Sequence, residues 1–340
     1  MPKVFTKMTR REIIKQGGLA LTALALPFPL TAFTKYNNMA DNKDFEVIII
    51  GGSYAGLSSA MALGRSLRSV LIIDGGQPCN KQTPHSHNFL TQDGKTPKEI
   101  STVAKQQVEK YETIKFYEGL AISGTKTEHG FEVSINENVK FTTKKLIFAT
   151  GIKDTMPDIK GFSECWGISV VHCPYCHGFE NRAKNTAIIG NGAKVMHLAS
   201  LVSNLTDKIT ILTNGKADFD ADQIAKLKTH KIKIIETKIS ELENNKGHIE
   251  NVVFNDNTKL PFEVAYGMIP FVQHSDIPQK LGCELTEQGY IKVDNFQKTT
   301  VEGIFACGDN SVMMRSVANA VYSGGLTGAI VNGFLSQAQF

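Results

Sequence analysis

One pattern occurs twice in these 340 residues, and it leaves few folds open. Phe45–Ile50 is an apolar run, broken only by Glu46, that stops at glycines, as a strand buried on both faces of a parallel sheet does. A helical stretch follows from about Ala55 to Leu67, and a second apolar run, Ser69–Ile73, ends at Asp74. The succession returns further on. Asn185–Ile189 reads as a strand, Gly190-Asn191-Gly192 as a turn, Val195–Ser203 as a helix and Lys208–Leu212 as a strand. Strand, turn, helix, strand is the unit from which dinucleotide-binding sheets are built. Two copies predict an α/β chain with two dinucleotide-binding, Rossmann-like domains, and apolar residues at 41% of the composition are enough to fill both cores. Lys144–Thr150 and Gly303–Ala306 read as further short strands, each ending in small residues.

The first turn, Gly51-Gly52-Ser53-Tyr54-Ala55-Gly56, matches a phosphate-binding turn with one departure. Gly51 allows the sharp bend, and Gly56 allows helix and strand to pack closely. Ser53 stands where a glycine usually lets a pyrophosphate approach; it is small, and its hydroxyl is itself a donor to phosphate. Asp74, at the end of the next strand, is placed to accept from ribose hydroxyls. The second turn keeps Gly190 and Gly192, but Val195 holds the third glycine position. The strand after it ends in Thr213-Asn214-Gly215-Lys216, which has neither an acid for a ribose nor an arginine cluster for a 2′-phosphate. That turn is open to two readings, a site for NADPH or NADH and a nucleotide-shaped fold that only carries the chemistry described next.

Six cysteines are too few for a disulfide scaffold in a chain of this length. Cys173-Pro174-Tyr175-Cys176 is the one suggestive spacing, and His177 follows directly. Two thiols with two residues between them close a disulfide at little loop cost. A neighbouring histidine or helix start lowers a thiol pKa, and His177 is placed to move a proton during exchange. Cys-x-x-Cys-His is also the pattern of c-type haem attachment, which needs an unfolded exported chain, whereas this motif lies inside a dinucleotide fold. No second pair stands at zinc spacing, so no metal site is expected. A glutaredoxin would carry the tetrapeptide near the start of a small domain. Cys79, Cys165, Cys283 and Cys307 are scattered and read as buried small hydrophobes. His85, His87 and Asn88 precede Phe89-Leu90 after the first unit; they line a cofactor or belong to a solvated polar loop.

The net charge of +4 is unevenly placed: six basic side chains against Glu12 put +5 on the first 38 residues, leaving −1 for the rest. A near-neutral body gives no electrostatic reason to expect nucleic acid as a partner. The pair Arg10-Arg11, then Ile13-Ile14, Lys15 and an apolar run from Leu19 to about Phe28, predicts a twin-arginine export signal over residues 1–38 and a periplasmic protein. Met39 is the alternative start, of a cytoplasmic one.

The order of these motifs resembles the low-molecular-weight thioredoxin reductases and their flavin-dependent relatives, over nearly everything after Met39. The resemblance rests on Gly51–Gly56, on Ala149-Thr150-Gly151, on the dithiol shortly before the second glycine turn, and on Gly303-Ile304-Phe305-Ala306-Cys307-Gly308-Asp309. It implies an FAD domain of 44–154 with 268–340, and a domain of NAD(P)H-binding type inserted at 155–267 that carries the dithiol. It also implies Gly151, Gly308 and Asp309 beside the flavin, Asp309 at its ribityl region, and a homodimer. The implied activity is thiol–disulfide exchange between the flavin, the Cys173–Cys176 pair (Cys176 facing the flavin) and either a thioredoxin-like protein or a small disulfide or dithiol. Three departures bear on the substrate. His177 replaces the family's acid, the basic cluster for the 2′-phosphate is missing, and Arg315-Ser316-Val317 stands where Arg-Gln-Ala is usual. The combination looks like the subgroup that includes oxygen-using dithiol oxidases of small molecules.

Overall fold

The computed structural model describes residues Lys43–Phe340; the expected export segment lies outside them. In chain order the strands are β1 Asp44–Ile50, β2 Val70–Asp74, β3 Ile114–Glu118, β4 Ser123–Thr127, β5 Gly130–Ser134, β6 Lys140–Phe148, β7 Ile152–Asp154, β8 Val170–Val171 and β9 Thr186–Ile189. They continue as β10 Ile209–Leu212, β11 Lys233–Ile235, β12 Ile239–Asn245, β13 His248–Phe254, β14 Lys259–Pro261, β15 Val264–Gly267, β16 Phe271–Gln273 and β17 Ile304–Ala306.

The first sheet has seven strands in the order β3-β2-β1-β6-β5-β4, with β17 also on β6. β3, β2, β1, β6 and β17 run parallel, while β4 and β5 add an antiparallel meander. β6 is long enough at nine residues to serve both: its first half pairs with β5 at Lys140–Thr143 and its second with β17 at Leu146–Phe148. The parallel strands are apolar where they lie deepest; Val47–Ile49 and Val70–Ile72 are fully buried. The second sheet is all parallel, in the order β11-β10-β9-β15-β8. Its strands lie between 170 and 267, so the chain leaves the first sheet after β6, builds the second, and returns to the first with β17. A nucleotide-type unit inserted in another is thus built into the strand order.

Two helices fix the return. Tyr54–Arg65, from the first glycine turn, packs on the C-terminal helix Val317–Gln339. A Cβ at Gly324 would overlap the carbonyl oxygen of Ala55, and one at Gly328 that of Ser59, so only glycine permits this crossing. The small residues opposite then reach across: Ser59 Oγ donates to Gly324 O at 2.7 Å and Ser58 Oγ to Val321 O at 2.7 Å. At the far end Arg68 is nearly buried and is held by Glu46 Oε1 at 2.9 Å, Asn332 Oδ1 at 2.8 Å, Ser336 Oγ at 2.7 Å and Gln339 Oε1 at 2.6 Å. One guanidinium therefore ties β1 to the last turns of the chain. Arg68→Ala leaves Glu46 uncompensated and should lower the unfolding free energy by about 3 kcal/mol. The urea midpoint measures this, and an unshifted midpoint would show the cluster to be dispensable.

Candidate active site

The dithiol sits where the second sheet ends. β8 is two residues long and pairs with β15; His172 and Cys173 follow its carboxyl end, the end at which open parallel sheets bind ligands. Cys173 is the N-terminal flank of the single helical turn Pro174–His177, and Pro174 suits the first helical position because it has no N–H to leave unpaired. The turn brings the thiols together: Cys176 Sγ donates to Cys173 Sγ at 2.8 Å. That hydrogen bond, joined by the backbone N–H groups of Cys176 and Tyr175, lowers the Cys173 thiol to about 7 against the opposing effect of burial. The proton that Cys176 shares with Cys173, and then its burial, push Cys176 the other way. The pair is thus built as one thiolate and one thiol near neutral pH. Cys176, with Val171, His172 and His177 around it, lines a cavity of about 1030 Å³ that extends to the first sheet.

That cavity holds the first glycine turn, Gly51–Ala55, with Asp74, Gly151, Gly308, Asp309 and Arg315. A Cβ at Gly56 would overlap the carbonyl oxygen of Gly51, which is the close packing the turn demands. Asp74 Oδ1 accepts from the Gly52 N–H at 2.9 Å, so the acid braces the turn as well as facing the cavity. Ser53 flanks the helix without capping it, which leaves its hydroxyl for a ligand. Arg315 makes a bidentate pair with Asp154, at 2.8 and 3.1 Å, and its Nε stands 3.8 Å from Asp309 Oδ2. Burial raises the Asp309 carboxyl, and Arg315 acts against this. Three cavity-lining groups have buried polar atoms with no hydrogen-bond partner: His172 Nε2, Gln273 Oε1 and Arg315 Nε. Donors and acceptors of this mixed kind, in a cavity of this size with a glycine turn at one end and a thiol at another, fit a flavin dinucleotide.

Histidines surround the dithiol. Burial, then His87, lowers the His177 pKa, so the imidazole is neutral at neutral pH and able to accept a proton. His87 lines the cavity and stands 3.6 Å from Glu180 and 3.7 Å from Asp93; Asp93 also accepts from the Asn88 N–H. His85 turns aside to Gly94 O at 3.0 Å. His172, its ring centroid 6.1 Å from that of Trp166, is pushed down to about 4 by burial and then by Arg315. The buried Tyr266 hydroxyl has no hydrogen-bond partner, and burial followed by the Cys173 charge raises it to about 12.

Two sequence expectations need revision or division. Cys165, Cys283 and Cys307 are buried, but Cys79 is exposed: it lies on the cavity wall, with Sγ 3.8 Å from Asp309 Oδ2. The loop after β2 runs over the cavity rather than into a core, and its polar neighbours Gln77 and Asn80 carry no apolar period that would have shown which way the thiol faces. Gly190 and Gly192 are not in the wall of this cavity; they end β9 in the other sheet. Asp154, Trp166 and His172 went unnoticed in the sequence, since each gains its role from neighbours more than ten residues away or from burial alone. Among the described residues no cluster of three His, Cys, Asp or Glu is arranged to hold a metal ion.

Alkylation of the reduced protein by iodoacetamide should rise with pH around a midpoint near 7, that of Cys173. Cys176→Ala removes the donor that favours the thiolate, so the midpoint should move upward. An unchanged midpoint would show that Cys176 does not activate Cys173.

The pyridine nucleotide-disulphide oxidoreductase family model matches residues 45–324. The chain is 31% identical over 305 residues to thioredoxin reductase tcpT of Claviceps purpurea (strain 20.1), covering 86% of this chain and 95% of that protein. It is 31% identical over 307 residues to thioredoxin reductase sirT of Leptosphaeria maculans, covering 85% and 93%. Among solved structures, an oxidoreductase from Agrobacterium tumefaciens superposes with a TM-score of 0.81 at 37% identity, over 86% of this chain and 99% of that one.

Proposed function

The chain belongs to the pyridine nucleotide-disulphide oxidoreductase family and is a flavin-dependent thiol–disulfide oxidoreductase, and we propose that its exchange centre is the Cys173–Cys176 pair with His177 as the proton-moving group. The observation that carries this is the 2.8 Å contact of two thiols of opposite acidity at the wall of the flavin-sized cavity. FAD bound in that cavity would supply a two-electron partner for the pair, held by Gly51 and Ser53 at the pyrophosphate in a turn that Gly56 keeps tight, by Asp74 at the ribose, and by Gly151, Gly308 and Asp309 toward the ring.

The residues divide the exchange between them. The Cys173 thiolate attacks one sulfur of an external disulfide, whose S–S bond breaks, and neutral His177 takes the Cys176 proton and passes it to the departing sulfur. Cys176, relieved of its proton, then attacks the Cys173 sulfur of the mixed disulfide. The partner's second sulfur takes a proton from solvent, so the partner leaves as a dithiol, and the enzyme pair is left oxidised. Each step is reversible, so an external dithiol drives the same sequence backward. The external partner is a thioredoxin-like protein or a small disulfide or dithiol. Tyr175 and Phe179, both exposed beside the cysteines, offer it an apolar contact.

Cys173→Ser or Cys176→Ser should abolish turnover of disulfide substrates while the purified protein keeps its flavin spectrum, because exchange needs both thiols. His177→Ala should slow turnover by ~10²-fold. Substantial turnover in either single-cysteine variant would sink the dithiol reading, and an unchanged rate in His177→Ala would reassign that side chain to structure.

We also propose, on the Arg10-Arg11 signal and the family resemblance, that the protein works as an exported homodimer. Cell fractionation of wild type beside Arg10→Lys/Arg11→Lys, followed by light scattering of the purified protein, checks both parts. Expected are retention of the variant in the cytoplasm and twice the chain mass; a cytoplasmic wild type beginning at Met39, or a monomer, contradicts the corresponding part.

A further inference from the structure

The family implies a pyridine nucleotide, and the second glycine turn is where the fold would hold it. Backbone N–H groups at the start of helix Ala193–Val202 should be free to receive a pyrophosphate there. In this chain the turn is occupied by the protein itself. Asn191 Oδ1 accepts from the Gly192 N–H at 3.0 Å and from the Asp218 N–H at 2.8 Å, while Asn191 Nδ2 donates to Lys216 O at 2.7 Å. One side chain thus spends its amide on a turn N–H and stitches the loop after β10 across the mouth of the turn. The loop is fastened again from behind, where the Ala217 N–H donates to Glu236 Oε1 at 2.6 Å.

The stitch also brings charge of the wrong sign. A Cβ at Gly192 would stand 3.6 Å from Asp218 Oδ2, so a carboxylate lies beside the N–H groups that a pyrophosphate would seek. Gly192 has φ +72°, the backbone that glycine adopts freely, so the closed geometry is not strained. The ribose side is committed as well. Thr213 Oγ1 donates to Gly215 O at 2.6 Å, and Asn214 Oδ1 accepts from the Ile239 N–H at 2.8 Å. The side chains of Asn191, Thr213 and Asn214 are thus bonded to protein, and the exposed cations Lys194, at the helix start, and Lys216, whose carbonyl Asn191 holds, are what the turn and the end of β10 have left to offer.

We propose that Asn191 and Asp218 hold the second dinucleotide turn shut, so that neither NADPH nor NADH loads there. The family's nucleotide does not fit this site as the chain builds it. Electrons then enter at the other end, as an external dithiol becomes a disulfide and the Cys173–Cys176 disulfide becomes a thiolate and a thiol, one substrate proton passing to Cys176 and the other to solvent. That second clause rests on the exchange centre assigned above, and the closure does not.

The test uses the full flavin-loaded protein under anaerobic conditions. NADPH and NADH are titrated by calorimetry, and bleaching of the flavin by each nucleotide is followed in parallel with bleaching by dithiothreitol. The expected result is no saturable nucleotide binding in the micromolar range and prompt bleaching by the dithiol. Asn191→Ala/Asp218→Ala should bind NADH or NADPH at least ~10-fold more tightly than wild type. Asp218→Asn, which keeps the loop's shape and removes only the charge, should show a gain in the same direction and serves if the double variant does not fold. Micromolar binding by wild type overturns the closure, as does a folded variant with no gain. Failure of dithiothreitol to bleach a flavin that nucleotides also leave untouched overturns the exchange centre and leaves the closure standing.

Discussion

The cavity depends on how closely helix Tyr54–Arg65 and helix Val317–Gln339 approach. Gly324 and Gly328 have no Cβ to hold the backbones apart, and the Ser58 and Ser59 hydroxyls fill the gap with hydrogen bonds to carbonyls of the other helix. The consequence is longer in sequence than in space. The glycine turn that starts the first helix meets the segment that starts the last, so a Cβ at Gly308 would stand 2.9 Å from Ala55 Cβ, and Asp309 and Arg315 face a cavity whose floor is Gly51–Tyr54. Bulkier residues in the crossing would part the helices and open the cavity at its pyrophosphate end.

Charge is then placed with some economy. A single buried guanidinium, Arg315, neutralises Asp154 through two hydrogen bonds and lies against Asp309, while the indole N–H of Trp166 donates to Asp154 at 3.1 Å. Asp154 lies on β7, just past the first run of the first sheet, and Trp166 just before β8 of the second, so the cluster bridges the two halves of the fold beside the dithiol. Buried charge is stable only when paired and hydrogen-bonded, and this one keeps Arg315 Nε in reserve for whatever fills the cavity. The thiols sit at the edge of this field, where Arg315 favours the thiolate of each.

The two glycine turns show what a motif does and does not determine. Both follow a buried parallel strand and open a helix, and both obey the local rules of a dinucleotide site. At the first, the acid braces the Gly52 N–H and the Ser53 hydroxyl stays free; at the second, one asparagine takes the Gly192 N–H and also ties down a loop 25 residues away. Asn191 is unremarkable as a letter between two glycines. Its effect lies in which backbone the fold brings beside it.

Much was legible in the residues alone. Largely apolar runs bounded by turn residues marked β1, β2, β9 and β10 to within a residue or so, because strands buried on both faces need apolar side chains at most positions. The Cys173–Cys176 spacing set the chemistry, since a single helical turn suffices to bring the two sulfurs together. What lay beyond the sequence depended on contacts between distant segments. Whether Cys79 faces a core or a cavity, which cysteine of the pair lines that cavity, the pairing of Asp154 with Arg315, and the closing of the second turn by Asn191 follow from where loops land after two sheets have packed. Local pattern records the preferences of a residue for its immediate backbone; it carries no record of a partner 25 or 161 positions away, and it is those partners that set burial, charge and access here.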